Sequence, residues 1–160
     1  MKKIIPLVFY ILSFAQTNAS HILGSDISYT WIGPGVNTYR VNLNLYRDCD
    51  GLAMATTEDI LVKSTCGNNF QFSVALLSAS GSEISQFCPA SLGLSTCNGG
   101  ILIGVQYYQY QGIVNLPSTC PNWTFSWTQC CRNNTINVPG SPSDDIYIEA
   151  NLNLSDGGQN

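Results

Sequence analysis

Apolar and polar residues alternate with a period of two along most of the chain, and helical periodicity is almost absent. From Thr38 to Tyr46, Tyr39, Val41, Leu43 and Leu45 fall on one face, while Arg40, Asn42 and Asn44 fall on the other. The same reading holds for Ile27, Tyr29 and Trp31, for Phe70, Phe72, Val74 and Leu76, for Trp123, Phe125 and Trp127, and for Ile146, Ile148, Ala150 and Leu152. Successive side chains of a strand point to opposite faces, so each segment predicts a half-buried strand, apolar inward and polar outward. Glu58 to Lys63 fits either a strand or the start of a short helix. Cys88 to Leu94 reads as a loop with at most one helical turn.

Turn-forming clusters separate these segments: Gly33-Pro34-Gly35, Asp48 to Gly51, Cys66 to Asn69, Ser80-Gly81-Ser82, Cys97 to Gly100 and Val138 to Pro142. Seven to nine strands with this punctuation predict two packed antiparallel sheets, an all-β sandwich of immunoglobulin-like or jelly-roll type. No internal repeat or linker breaks the chain before residue 150. At 160 residues it is long enough for one domain, expected to be a disulfide-reinforced sandwich whose core need not depend on the cross-links.

The amino terminus changes the picture of where this domain works. Residues 1–19 have the layout of a secretory signal: Met1-Lys2-Lys3, an apolar run from Ile4 to Ala15, then Gln16 to Ala19. The run is too short to span a hydrocarbon core, which needs about 20 residues. The expected mature chain starts at Ser20, with no membrane span. It keeps four positive residues (Arg40, Arg47, Lys63, Arg132) against ten acidic ones, a net charge of −6. That balance excludes the basic footprint that nucleic acid or an anionic membrane would require. Residues 20–155 form the expected domain. Asp156 to Asn160 read as a flexible end, with the chain expected to continue into further domains.

Little in the sequence points to catalysis, and the expectation is a chain that is not an enzyme. The only histidine, His21, stands beside the predicted cleavage site, and no motif sets two of Glu58, Asp59, Glu83 and Glu149 across a cleft. The seven cysteines (49, 66, 88, 97, 120, 130 and 131) all lie in the exported part, where disulfides form. Their spacing gives no C-x₂₋₄-C pair for zinc. The short interval between Cys88 and Cys97 favours a bond closing that loop. Cys130 and Cys131, taken as strand neighbours facing opposite ways, would bond Cys120 and either Cys49 or Cys66. Connectivity stays open on sequence grounds, and an odd cysteine remains.

Two binding features follow. Asp48 and Asp50, two residues apart before Gly51, are the candidate ligands for calcium, with Glu58-Asp59 as returning oxygens; no other cofactor is expected. Tyr108 and Tyr110, opposite in parity to Tyr107 and flanked by Gln106, Gln109 and Gln111, are candidates for stacking on a sugar or a protein.

Several phrases together resemble one family. Ser20 to Tyr29, Tyr39-Arg40-Val41, Leu45 to Cys49, Cys97 to Gly100, Gly104-Val105-Gln106, Trp123 to Trp127, Cys130-Cys131-Arg132-Asn133 and Tyr147 to Ala150 are similar to the start of large exported proteins of the Bacteroidetes. Those are the gliding-motility-associated or PKD-repeat surface proteins. The resemblance implies an amino-terminal β-sandwich, followed by PKD or immunoglobulin-like modules and a sorting domain for type IX secretion. It implies no catalytic residues. The expected role is a structural or binding module of an adhesin-like protein, extracellular or at the cell surface. Its expected partners are downstream domains of the same polypeptide and surface glycans or proteins, and the alternative is a carbohydrate-binding module.

Overall fold

The structure, a computed structural model, describes residues 21–33, 37–133, 139–141 and 144–155. The signal-like segment 1–19, the tail 156–160, Pro34, Gly35, Val138 and Pro142 lie outside the described residues.

The alternating segments become strands where they were expected. In chain order these are β1 (Ile22–Trp31), β2 (Thr38–Asp48), β3 (Thr57–Ser64), β4 (Asn69–Leu76), the short β5 (Ser82–Glu83), β6 (Val105–Asn115), β7 (Asn122–Gln129) and β8 (Ile146–Asn153). The ambiguous stretch Glu58 to Lys63 belongs to β3, and Pro89–Leu94 forms a 3-10 turn. Hairpins join β1 to β2, β3 to β4 and β7 to β8, and every pairing between strands is antiparallel.

Among the described residues the eight strands form one sheet in the order β1-β2-β6-β4-β3-β7-β8, with β5 on β6. That sheet folds into a sandwich because its middle seam is short. β4 meets β6 only through Ala75 opposite Gln111 and Leu76 opposite Tyr110. Beyond the seam the chain leaves β4 and follows β6: Leu77 N donates to Gln109 O at 2.8 Å and Gly81 N to Tyr107 O at 2.7 Å. A strand that changes sheets in this way makes a corner. One layer is then β5-β6-β2-β1 and the other β4-β3-β7-β8. Their far edges meet where Tyr29 Oη donates to Asn151 O at 2.8 Å and the Tyr29 ring lies 5.5 Å from that of Phe125.

The inward faces interlock as the alternation predicts. Val41, Leu43 and Leu45 of β2, Ile60 and Val62 of β3, Val74 of β4 and Phe125 of β7 are fully buried. Each such aliphatic or aromatic side chain contributes about 1.5–3 kcal/mol by leaving water. Gly112 occupies the corner. A Cβ there would lie 2.9 Å from Val74 Cγ1 and 3.1 Å from both Ser73 O and Phe72 Cε2, so β6 can approach β4 only without a side chain. Gly112→Ala should therefore destabilise the fold by about 1–3 kcal/mol through overpacking. Urea unfolding measures this, and a change within ±0.5 kcal/mol would contradict the account of the corner.

Two of the three disulfides join cysteines distant in sequence. Cys97 bonds Cys49 instead of Cys88, and Cys120 bonds Cys66 instead of Cys130 or Cys131. Cys130 and Cys131 bond each other, and Cys88 is exposed and free. The expected pairings fail for two physical reasons. The 3-10 turns at Pro89–Leu94 and Thr96–Asn98 carry Cys97 toward the end of β2, where Cys49 N donates to Gly104 O at 3.0 Å. β7 ends at Gln129 and Cys131 takes a positive φ of 74°, so strand alternation does not govern the Cys130-Cys131 pair. Three disulfides fit folding in an oxidising compartment. Among the described residues no helix is long and apolar enough to cross a membrane.

Candidate functional site

The β3–β7 pairing runs from Ser64 opposite Trp123 to Leu61 opposite Ser126 and stops there. Past that point β3 stays with β4 and β7 stays with β8, so the two strands part. A cleft of about 630 Å³ opens in the parting, within the range of ordinary ligand sites. Thr57, Glu58, Asp59 and Leu61 line one side, Ser126 to Gln129 the other. Ile22, Leu45 and the Leu52 to Ala55 connection form the rest of its apolar lining, and Tyr147 and Gln71 reach it from the flanking strands.

Glu58 bridges the parting with its side chain. Its Oε2 accepts a hydrogen bond from Trp127 Nε1 at 3.0 Å, linking the two separated strands by side chains where the backbone link has ended. Burial pushes the Glu58 carboxyl above its ordinary 4.5, and the neighbouring Asp59 charge adds to the rise, while the Trp127 donor opposes it. A raised carboxyl binds its proton more tightly folded than unfolded, so its ionisation costs stability as the pH climbs above 4.5. Glu58→Gln keeps an acceptor for Trp127 and removes the charge. Its stability relative to the unmodified chain should therefore improve as pH rises from 4.5 to 7, read from urea unfolding at several pH values. A variant whose relative stability worsens over that range would contradict this assignment.

Glu83 and Glu149 behave oppositely. Ser95 Oγ, Ser85 Oγ at 2.8 Å and Asn98 Nδ2 at 3.2 Å all donate to the Glu83 carboxylate. These hydrogen bonds, that of Ser95 foremost, hold it below the usual carboxylate range. Tyr147 Oη donates to Glu149 Oε2 at 2.6 Å, with the same effect. Both glutamates are exposed, on β5 and β8, while Glu58 lines the cleft from β3.

The residues singled out from sequence are placed differently from expectation. Tyr110 is fully buried; its Oη donates to Ala55 O at 2.8 Å, and burial drives its phenol well above the usual range. It is a core residue and presents no ring to a ligand. Tyr108 is half-buried beneath Arg47, whose guanidinium carbon lies 5.7 Å from the ring centre. Arg47 is itself buried, donating to Asp48 O and Cys49 O at 2.9 Å each and to Tyr108 Oη at 3.3 Å. On the opposite face of β6, Tyr107 is half-buried as well, and its ring pairs with that of Tyr46 at 5.7 Å.

Asp48 caps its own turn, accepting from Asp50 N at 3.1 Å, which is the ordinary structural use of such a residue. Glu58 and Asp59 lie in β3 and do not join it. Among the described residues no three His, Cys, Asp or Glu side chains gather to hold a metal, so the proposed calcium ligand set does not assemble.

Sequence reasoning missed the role of Glu58 beside Trp127 and the buried position of Arg47. The signal for the latter was present: Arg47 has the parity of Tyr39, Val41, Leu43 and Leu45, the inward face of β2. No family model, no curated protein and no solved structure matches this chain.

Proposed function

We propose that this chain is a non-enzymatic module of an exported, adhesin-like protein, with a structural or binding role at the cell surface or in the medium. The observation that carries this reading is the cleft between β3 and β7, where apolar surface and fixed polar groups meet on a scaffold cross-linked by disulfides. The signal-like amino terminus and the resemblance to large Bacteroidetes surface proteins support export, and the resemblance also supports continuation into downstream domains. Labelling intact source cells with an impermeant amine reagent, then probing with antibody against residues 20–155, tests the location. Label on the chain, or its recovery from the medium, is expected; recovery only from the cell interior would overturn the reading.

A second reading, a carbohydrate-binding module, is favoured by the outer face of β2 and β6. Tyr46 Oη donates to Asp26 Oδ2 at 3.0 Å and Tyr107 Oη to Asn44 Oδ1 at 2.7 Å, while Asn44 Nδ2 donates to Asp26 Oδ1 at 2.8 Å. Rings fixed in this way offer flat apolar surface beside amide and carboxylate groups, the combination that stacks on sugars. A glycan array with the unmodified chain and Tyr107→Ala tests it: a signal lost in the variant supports it, and an empty array removes it.

A further inference from the structure

The parting of β3 from β7 leaves lengths of strand edge with no strand opposite them. Ser64 N donates to Asn68 O and Leu76 N to Thr56 O, so even-numbered residues of β3 turn their backbone groups toward β4. Odd-numbered residues turn the other way, as shown by Thr65 N donating to Asn122 O of β7. Leu61 and Lys63 continue that ladder, but Thr57 and Asp59 come after its last pair. On β7, Asn122, Thr124 and Ser126 face β3, and Thr128 is the next residue in that series. Among the described residues, Thr57 and Asp59 on one edge and Thr128 on the other have no strand opposite them. Unpaired strand edges are templates for another extended chain.

The side chains around this double edge specify the occupant further. Ile22, Leu45 and Trp127 are buried and make an apolar floor, with Met54 half-buried beside them. Asp59, Thr128 and Tyr147 stand exposed on the outer side. The lining holds two carboxylates, Glu58 and Asp59, and no cation. A strand fitting there would place apolar side chains inward and basic ones outward, in alternation. The open edge from Thr57 to Asp59 spans roughly 10 Å, about three residues at 3.3 Å each.

We propose that the gap between β3 and β7 is a docking groove for an extended, basic-apolar polypeptide strand, which pairs with both open edges and completes the β4-β3-β7-β8 layer. This rests on the reading of the chain as a binding module and names the class of partner. A sugar would use the hydroxyls and carboxylates of the cleft but would leave the paired edges without matching donors and acceptors.

The test is calorimetric titration of the full chain, oxidised, with acetyl-Lys-Val-Lys-Val-Lys-Val-Lys-amide. Saturable one-to-one binding is expected, weakened at least tenfold when the peptide is N-methylated along its backbone or its lysines are replaced by glutamates. Asp59→Lys should cost a similar factor by reversing the charge at the rim. Thr128→Pro should do so by removing an edge N–H, and if it fails to fold, Asp59→Lys and the N-methylated peptide still decide. No binding, or binding unchanged by N-methylation and by Asp59→Lys, would overturn the proposal, as would displacement of the peptide by cellohexaose. Surface labelling of the chain together with failure of the peptide would leave the export reading standing and remove only this one.

Discussion

Replacing both Cys66 and Cys120 by alanine should lower the stability of the fold by about 4 kcal/mol, the loop entropy expected for a cross-link between residues 54 apart. The bond ties the turn between β3 and β4 to the connection entering β7, at the end of the β3–β7 ladder opposite the cleft. Cys120 is almost wholly buried, so the substitution also removes core contact. Domains of this size have a total stability of about 5–15 kcal/mol, so the loss should take away a large part of it. Urea unfolding of the oxidised chain and the double variant gives the difference directly. Cys88→Ser provides the contrast: this cysteine is exposed and unbonded, and its replacement should change stability by no more than about 0.5 kcal/mol. Equal effects of the two changes would contradict the pairing.

Trp123→Ala should cost about 3–5 kcal/mol. The indole is 1% exposed, meets the Phe70 ring edge-on at 6.5 Å, and donates from Nε1 to Cys120 O at 2.9 Å. Trp123→Phe separates the two contributions: it keeps an aromatic ring in the core and leaves the Cys120 carbonyl without that donor, a cost of about 1–3 kcal/mol. Because Trp123 and the Cys66–Cys120 bond share Cys120, their effects should not add, and the triple variant should lose less than the sum of its parts. Thermal unfolding of all four chains reads this coupling. A strictly additive result would show that the indole and the disulfide act independently.

The strands were legible because burial on one face writes its period into the sequence. β2 shows this most plainly, its inward set running from Tyr39 to Leu45 without interruption. Alternation separates two faces but does not say which one is inside, and β6 carries tyrosines on both. Val114 and Leu116 share the parity of Tyr110 and are buried with it, so the downstream half of the strand held the signal that Tyr110 belongs to the core. The disulfides were not legible, since each long-range pairing depends on how hairpins distant in sequence come together. The cleft was hidden for the same reason. Glu58 and Trp127 lie 69 residues apart, and they meet only because the β3–β7 ladder ends early.

The most direct measurement of the central proposal, an exported sandwich held by disulfides between residues distant in sequence, is mass spectrometry of unreduced proteolytic fragments from the chain collected outside the cells that make it. The account predicts fragments joined through Cys49–Cys97 and Cys66–Cys120, an internal Cys130–Cys131 bond and a free thiol at Cys88. A fragment joining Cys88 to Cys97, or a chain found only reduced and inside the cell, would contradict it.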